Sequence, residues 1–542
     1  MATPEARASE LEYELELDPK RWLALGIVAA GVALIIIDST IVNVALPTMI
    51  LDLNLGLSGA EWVNSIYSLV FAAILIVTGR LADMRGRRQI YMIGLAIFAG
   101  ASILAGLAPN GEFLILARLL QGIGGALVLP STLSIVNATF QGKERAAAFG
   151  VWGATIGGMA ALGPIAGGLL TTHFGWRWIF LINIPIALAL IVLSLKYVRE
   201  SKDPDAKKTG DVLGSVSLGV GLAALVFALI EGRTYGWWAP TEPFSPGGLD
   251  WPSSTVSPIP VAIALSLVSI IVFLLNSRYR LRAGKPRLVD LELFKLRSFG
   301  FGNITALLVS LGEFGVLFAI PLYLQSVLGL SATQSGLLIA SLAVGAFVAG
   351  GAAAPVSKRL GARGVVQLGM ALETIGIGAF ALLVGPDSNP WIFVPALFVY
   401  GIGVGFATAQ LTGVVLADVP MSASGQASGI QSTSRQIGSA LGVAILGVIL
   451  ATVISNQTTA NLEAQGLPTA RAASISMTIE RSAGTAIPSI VSQPGGAELA
   501  PAIDQAFSDA TRWTGLAAAF FVLIGLGSSM FLPKPKNPWS ST

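Results

Sequence analysis

Residues 79–88 read Gly-Arg-Leu-Ala-Asp-Met-Arg-Gly-Arg-Arg and join two apolar stretches, each as long as a membrane helix. The glycines permit a tight turn and a close approach of two helices. Asp83 stands where a carboxylate can accept hydrogen bonds from an arginine or from the first amides of the next helix. Basic clusters also arise simply as cytoplasmic anchors, which would suffice for Arg85 or Arg88 alone. The segment therefore predicts a turn between two membrane-spanning helices.

The composition of the whole chain is that of a membrane protein. Of the 542 residues, 54% are hydrophobic and 12% are charged, and the mean hydropathy is +0.74. Soluble domains carry about twice that charged fraction. The net charge of +3 does not argue for nucleic acid, because the basic residues lie in short loops between apolar stretches. With no cysteine and one histidine, His173, the sequence predicts no disulfide, metal site or cofactor.

Fourteen apolar windows, each about 20 residues long and so able to cross a bilayer, follow one another along the chain. They are residues 22–45, 62–81, 89–108, 112–138, 147–171, 177–197, 211–231, 259–277, 300–325, 332–357, 363–384, 391–417, 424–452 and 512–533. An even number of crossings places both termini on one side. Lys and Arg concentrate in the loops of that side, so we expect a plasma-membrane protein with both ends in the cytoplasm.

An internal repeat organises these windows. Gly122-Ile123-Gly124 recurs as Gly401-Ile402-Gly403, and the stretch 148–150 aligns with 427–429 at the same separation along the chain. Windows 1–6 and 9–14 therefore read as two copies of one unit, with windows 7 and 8 inserted between them. Paired halves that rock about a central site are the architecture of alternating-access carriers, although repeats also occur in structural proteins.

The repeat predicts the following domains. They are a cytoplasmic tail of residues 1–21, a six-helix bundle of residues 22–200, two inserted helices with linkers in residues 201–297, a second six-helix bundle in residues 298–533, and a tail of residues 534–542. The second bundle includes a long outward loop, residues 453–511. Within that loop, residues 460–485 are expected to form an amphipathic helix or hairpin.

Asp38 lies near the middle of the first apolar window, within Ile-Asp-Ser-Thr-Ile-Val-Asn-Val-Ala-Leu-Pro at residues 37–47. A charged side chain there costs at least a few kcal/mol, and uptake of a proton removes that cost. A group that loads and unloads a proton inside the membrane is what a proton-coupled transporter needs. The structural alternative is a helix-packing carboxyl that a neighbouring donor satisfies.

Two further motifs lie in windows 4 and 5. Residues 118–125 read Arg-Leu-Leu-Gln-Gly-Ile-Gly-Gly, and an intramembrane arginine such as Arg118 must face the protein interior and find acceptors. No strand precedes the glycines, so a nucleotide-binding loop is a poor interpretation. Residues 163–168 read Gly-Pro-Ile-Ala-Gly-Gly, in which small residues allow close helix packing and the proline bends the helix.

Together with Trp-Arg-Trp-Ile-Phe-Leu-Ile-Asn-Ile-Pro at residues 176–185, these motifs resemble those of the major facilitator superfamily. The fourteen windows make the chain similar to its fourteen-helix drug/proton antiporters of the EmrB/QacA type, over nearly its whole length. The resemblance implies an all-α polytopic major facilitator fold of 6+2+6 helices. It also implies proton coupling at Asp38 beside Arg118. The residues that it implicates in conformational gating are Gly79, Asp83, Gly86, Arg87, Gly163, Pro164 and Gly167.

The chain departs from this branch in window 13, where residues 425–448 contain no acid. Some multidrug members of the branch place acids there for cationic substrates, so the departure favours uncharged or anionic cargo. Glu313, in window 9, is instead the symmetry partner of Asp38. We expect Glu313 to take part in proton coupling and to line a central cavity, since buried carboxylates are rarely idle. For Glu373, in window 11, a functional and a structural role are equally open.

The predicted function is the export of amphipathic organic compounds in exchange for protons, by a monomer in the lipid bilayer. Candidate substrate contacts are Asn43, Trp62, Tyr67, Asn183, Glu313, Tyr323, Gln325, Gln410 and Gln431. The alternatives are export of an endogenous lipid, a cell-wall intermediate or a secondary metabolite, and an uncoupled facilitator. An intramembrane enzyme would need a nucleophile–base pair or a metal cluster, and the sequence offers neither motif.

Overall fold

The computed structural model describes residues 19–140, 142–202, 211–244, 251, 255–285, 287–419 and 424–533, and this part of the chain forms helices and turns with no strand. The first six helices are α1 Arg21–Leu53, α2 Leu57–Arg85, α3 Arg87–Gly106, α4 Gly111–Thr139, α5 Gly142–Phe174 and α6 Trp178–Tyr197, the last interrupted at Ile182. Local chemistry explains several of their ends. Asn54 adopts a left-handed conformation (φ 50°) that ends α1, and the Asn110 side chain accepts from the Phe113 amide at the start of α4.

Two helices and then a second group follow. The helices are α7 Val212–Tyr235, α8 Pro258–Arg282, α9 Arg297–Ser326, α10 and α11 within Ala332–Leu383, α12 Phe393–Val415, α13 Ser424–Ala464, α14 Thr469–Arg481, α15 Ile487–Val491 and α16 Ala500–Ser529. Gly361, at φ 73°, separates α10 (332–360) from α11 (362–383). Ser331 and Gln334 form a capping box at the start of α10.

Twelve helices in the described part of the chain are long and apolar enough to cross a membrane. They confirm an all-α polytopic protein. Two more helices, α2 and α5, are 29 and 33 residues long and pack within the bundle, but they are not among the twelve. A count of fourteen crossings therefore remains a prediction.

The segment predicted as a long outward loop is mostly helical. α13 continues to Ala464, well past the end of its apolar window, and α16 begins at Ala500, well before the start of its window. Helix α14, Thr469–Arg481, lies within the stretch 460–485 where a helix was expected. The boundaries differ because hydropathy marks only the apolar part of a helix, whereas helices rich in Ala, Gln and Glu continue into polar surroundings.

The two groups of six helices pack in the same pattern. α1 packs against α5 and α6, and α9 against α13 and α16. Gly122 of α4 lies on the backbone of α2, where a Cβ would come within 2.8 Å of the Tyr67 carbonyl oxygen, and Gly401 of α12 lies on α10 at Leu342. The repeated glycines thus mark equivalent crossings in the two halves.

The neighbouring glycines extend this correspondence. A Cβ on Gly124 would lie 2.9 Å from the Gly94 carbonyl oxygen of α3, and one on Gly403 would lie 2.6 Å from that of Gly369 in α11. Gly94 and Gly369 are as far apart along the chain as Tyr67 and Leu342, the residues at the preceding crossing.

The same spacing relates further positions of the first three helices of each half. Gly86, between α2 and α3, and Gly361 both have positive φ, and they are as far apart along the chain as Gly94 and Gly369. Asp38 and Glu313 are separated equally too. This constant spacing supports the pairing of the two acids.

The halves meet mainly through two helix pairs, α5 with α10 and α2 with α13. If α1–α6 correspond in chain order to α9–α13 and α16, then α5 corresponds to α13 and α2 to α10. Each of the two contacts is therefore the symmetry equivalent of the other. Helix α7 packs on both α2 and α13, and Leu69, Val226 and Ala444 share one apolar cluster there. Helix α8 packs on α7. The inserted helices therefore lie along one seam between the halves.

Candidate functional site

Asp38 lies near the middle of α1, and its side chain is fully buried. Arg118 Nη1 donates to its Oδ2 at 2.5 Å, while the amides of Gln121 and Asn183 donate to Oδ1 at 3.1 and 2.8 Å. Helix α4 supplies the first two side chains and α6 the third. Three helices of one half therefore converge on a single carboxylate.

A second layer of contacts holds these donors. Gln121 and Asn183 each donate to the Ser102 hydroxyl, at 2.8 and 3.3 Å, and Gln121 Oε1 accepts from Arg118 at 2.9 Å. We call Asp38, Ser102, Arg118, Gln121 and Asn183 the Asp38 cluster. All five side chains are at most 1% exposed.

Arg118 has further partners outside the cluster. Its Nε donates to the Val63 carbonyl at 3.2 Å, and its guanidinium lies 4.5 Å from the Tyr67 ring centroid. Cation–π contact with an aromatic face stabilises a desolvated cation. A buried ion pair is stable when additional hydrogen bonds satisfy both charges, as they do here. The geometry therefore holds Asp38 as a carboxylate in this conformation.

Sequence reasoning predicted the Asp38–Arg118 contact but missed Gln121 and Ser102. The signal for Gln121 was its spacing, because residues three apart on a helix lie on the same face. Asn183 and Tyr67 were predicted to contact substrate. The structure places Asn183 on Asp38 and Tyr67 on Arg118, so both serve the cluster in this conformation.

Glu313 of α9 and Glu373 of α11 form a second acidic group, which we call the Glu313–Glu373 pair. Glu373 is fully buried and Glu313 is 9% exposed. Neither oxygen of Glu373, nor Oε2 of Glu313, has a hydrogen-bond partner among the described residues. The helices of both acids pack on α12, where Gly403 lies against the backbone of Glu373. Tyr400 of α12 donates only to the backbone oxygen of Glu313, at 3.4 Å.

The other predicted substrate contacts are dispersed. Trp62 donates to Glu231 at 2.8 Å and Tyr323 donates to the Gly385 carbonyl at 2.6 Å. Gln325 donates at 3.0 Å to the carbonyl of Val44, in the other half. The remaining three are buried Asn43, buried Gln431 and half-buried Gln410. The structure does not gather these residues into one site, and their roles stay predictions.

The predicted gating loop folds as a tight turn at Gly86, whose φ of 128° suits glycine. The Arg87 amide donates to the Ser201 carbonyl at 3.0 Å. Glu200 accepts from the first amides of α3, at 3.0 and 3.1 Å. The Asp83 side chain and the surroundings of Gly79 lie outside the described part of the structure.

The glycine–proline motif of α5 lies between α1 and α10. Gly163 packs on Thr40, and a Cβ on Gly167 would lie 2.7 Å from the Ile41 carbonyl oxygen. On the opposite side, Pro164 lies against Gly336 of α10. The motif therefore brings the two halves into backbone contact.

The halves are joined where α1 ends and α2 begins. Thr333 donates to the Gly168 carbonyl at 3.0 Å, across the α5–α10 contact. Arg233 of α7 binds both Glu61 of α2, at 3.0 Å, and Glu480 of α14, at 3.2 Å. An inserted helix and the outer helix α14 therefore contribute to closing this end.

The sequence model of the Major Facilitator Superfamily matches residues 28–443. The chain belongs to the Major Facilitator Superfamily. It is 33% identical, over 458 residues, to the "Probable actinorhodin transporter" of Streptomyces coelicolor, an alignment that covers 82% of this chain and 75% of the relative. It is also 33% identical, over 431 residues, to the "Multidrug efflux pump LfrA" of Mycolicibacterium smegmatis, with 79% and 81% covered.

A solved structure supports the same fold. The crystal structure of a bacterial homolog to the human lysosomal transporter Spinster, inward-facing and occupied, superposes with a TM-score of 0.61 at 17% identity. The match covers 96% of this chain and 100% of that chain. This Major Facilitator Superfamily member is therefore a multi-pass membrane transporter with the expected fold.

Proposed function

We propose that this chain is a proton-coupled antiporter that exports amphipathic organic compounds by alternating access, with fourteen crossings and both termini in the cytoplasm. The observation that carries the proposal is the Asp38 cluster, a buried carboxylate whose only charge-neutralising contact is Arg118 among the described residues. The names of the two relatives, an antibiotic transporter and a multidrug pump, support the export of organic compounds.

The cluster couples a proton to helix position through its hydrogen bonds. A proton on Asp38 removes the negative charge that holds Arg118, Gln121 and Asn183. The contacts that tie α4 and α6 to α1 then weaken, and the bundle is free to change shape. Release of the proton restores them. Each proton that crosses contributes about 2.3 kcal/mol per 100 mV of membrane potential, enough to drive a useful gradient of cargo.

The cargo class follows from the distribution of acids. Residues 425–448 of α13 contain none, so we propose that uncharged or anionic compounds are carried better than permanent cations. Export of a secondary metabolite is a variant of the same proposal, and the name of the actinorhodin relative favours it. Transport of both actinorhodin and ethidium, compared in one assay, would rank the two classes.

The test is transport by the purified chain in proteoliposomes, with an imposed proton gradient and a pH-sensitive dye. Cargo uptake should require the gradient and should consume it. Asp38→Asn should reduce gradient-driven uptake to the background of empty vesicles while the protein stays folded. Glu112→Gln, a matched change at an exposed carboxyl of α4, should leave it unchanged. Uptake that stays gradient-driven in Asp38→Asn would refute the role of this carboxylate, and uptake without proton flux would identify a facilitator.

A further inference from the structure

The two halves place an acid at equivalent positions and surround it in opposite ways. Glu313 follows Asp38 at the same separation along the chain that relates Gly94 to Gly369. A local contact agrees with this register. Gly163 of α5 packs on Thr40, two residues after Asp38, and Gly442 of α13 packs on Gly315, two residues after Glu313.

Three residues of the Asp38 cluster are replaced at the equivalent positions of the second half. Leu397 occupies the position of Arg118, Tyr400 that of Gln121 and Ile377 that of Ser102. Glu373 occupies the position of Phe98. The backbone of Phe98 packs on Gly124, and the backbone of Glu373 packs on the equivalent glycine, Gly403. The second half has therefore lost its cation and gained a second carboxyl.

Burial without donors decides the charge state of these carboxyls. An ionised carboxylate that is removed from water needs a cation or several hydrogen bonds, and otherwise it takes up a proton. Glu373 has no exposed surface and no donor for either oxygen among the described residues. Oε2 of Glu313 is likewise buried and lacks a donor among the described residues.

The surrounding helices supply few other charges. From α12, Tyr400 contributes a neutral hydroxyl that is bonded to the backbone. Arg435 lies on α13, which packs against α9, and it forms no ion pair with either carboxyl in this conformation. The charged residues of α16 lie in its first turns, where Arg512 binds the Val384 carbonyl. From α1, the one acid in the middle of the helix is Asp38, which its own cluster holds.

We propose that Glu313 and Glu373 form a second proton-binding site, which is loaded in the same conformation in which Asp38 is ionised. This inference rests on the proposed proton-coupled antiport and identifies a further site for its protons. Glu313 keeps 9% of its surface exposed whereas Glu373 keeps none, so in this proposal Glu313 is the group that exchanges protons with water. For release, a carboxyl O–H bond breaks, the proton passes to water, and approach of Arg435 neutralises the carboxylate that is left.

Infrared difference spectroscopy of the full chain in lipid bilayers tests this inference without any substrate. At neutral pH the wild type should show carbonyl absorption of protonated carboxylic acids that shifts in heavy water. Glu313→Gln and Glu373→Gln should each remove part of that absorption, and the double variant should remove both parts. Glutamine preserves the size of the side chain, so each single variant is expected to fold.

Asp38→Asn is the matched control, because it should remove carboxylate absorption and leave the acid absorption intact. Acid absorption that survives in the Glu313→Gln/Glu373→Gln double variant, with carboxylate absorption lost instead, would overturn the inference. The proteoliposome assay decides the antiport separately. A failure of the second proton site is thus distinguishable from a failure of the proposed function.

Discussion

The Asp38 cluster and the Glu313–Glu373 pair lie at equivalent positions in the two copies of one helical unit. Their helices cross through equivalent glycines, yet Asp38 has three donors, whereas Oε2 of Glu313 has none among the described residues. Backbone packing of the two copies has thus been kept while the polar contacts have diverged. Equivalent positions in a repeat predict where a side chain lies, and its neighbours decide what charge it carries.

The largest effect is expected from Arg118→Leu, which gives the first half the residue that the second half has at Leu397. Removal of one partner from a buried ion pair costs about 3–5 kcal/mol, because the other charge remains uncompensated. The free energy of unfolding, measured by chemical unfolding in detergent, should fall by that amount. Most of the loss should return in Arg118→Leu/Asp38→Asn. A double variant as unstable as the single one would show that Arg118 acts through packing rather than charge.

A change of opposite sign is expected from Glu373→Leu. This side chain is fully buried and its oxygens are unpaired among the described residues, so an apolar residue of similar volume should raise the free energy of unfolding by about 1–3 kcal/mol. The same unfolding measurement checks it. A loss of stability would mean that Glu373 makes a favourable polar contact, and the contrast between the two halves would disappear.

A smaller loss is expected from Ser102→Ala. The hydroxyl accepts from both Gln121 and Asn183, and loss of a buried hydrogen bond costs about 0.5–1.5 kcal/mol. Gradient-driven uptake in proteoliposomes should persist, because Asp38 keeps its three donors. Ser474→Ala, on the outer helix α14, is a control that should leave both stability and transport unchanged. Complete loss of transport in Ser102→Ala would give this hydroxyl a direct role in proton transfer.

The smallest effect is expected from Tyr400→Phe. The lost bond, to the backbone oxygen of Glu313, is long at 3.4 Å, so the cost should be about 0.5 kcal/mol or less. The carboxylic-acid absorption should keep its intensity in the infrared spectrum. A shift of this absorption would indicate that the Tyr400 hydroxyl bonds to a carboxyl, as Gln121 does in the first half.

Much of the fold was predictable because a bilayer imposes simple rules. Apolar length located the crossings, and the recurrence of Gly122 and Gly124 at Gly401 and Gly403 identified the two copies. Helix ends were less predictable, since α13 and α16 extend well beyond their apolar windows. Hydropathy reports the environment of a residue and not the length of its helix.

The site was predictable only in part. The cost of burying a charge predicted that Arg118 finds acceptors in the protein interior, and the resemblance to the family implied that it lies beside Asp38. The positions of Gln121, Ser102 and Asn183 depended on the rotation of three helices about their axes. Trp62 and Gln325 bond to Glu231 and to the Val44 carbonyl in this conformation, and their contact with substrate stays a prediction.

The sequence by itself determined that the chain is a bundle of membrane helices in two related copies, with an acid on the first helix of each. These features follow from apolar length, spacing and the cost of charge in lipid, which act locally along the chain. Only the tertiary structure decided that Arg118 neutralises Asp38, while Glu373 and Oε2 of Glu313 are buried without donors among the described residues. Those contacts depend on how helices that are distant in sequence pack against each other at their glycines. The residues of a single helix do not determine that packing.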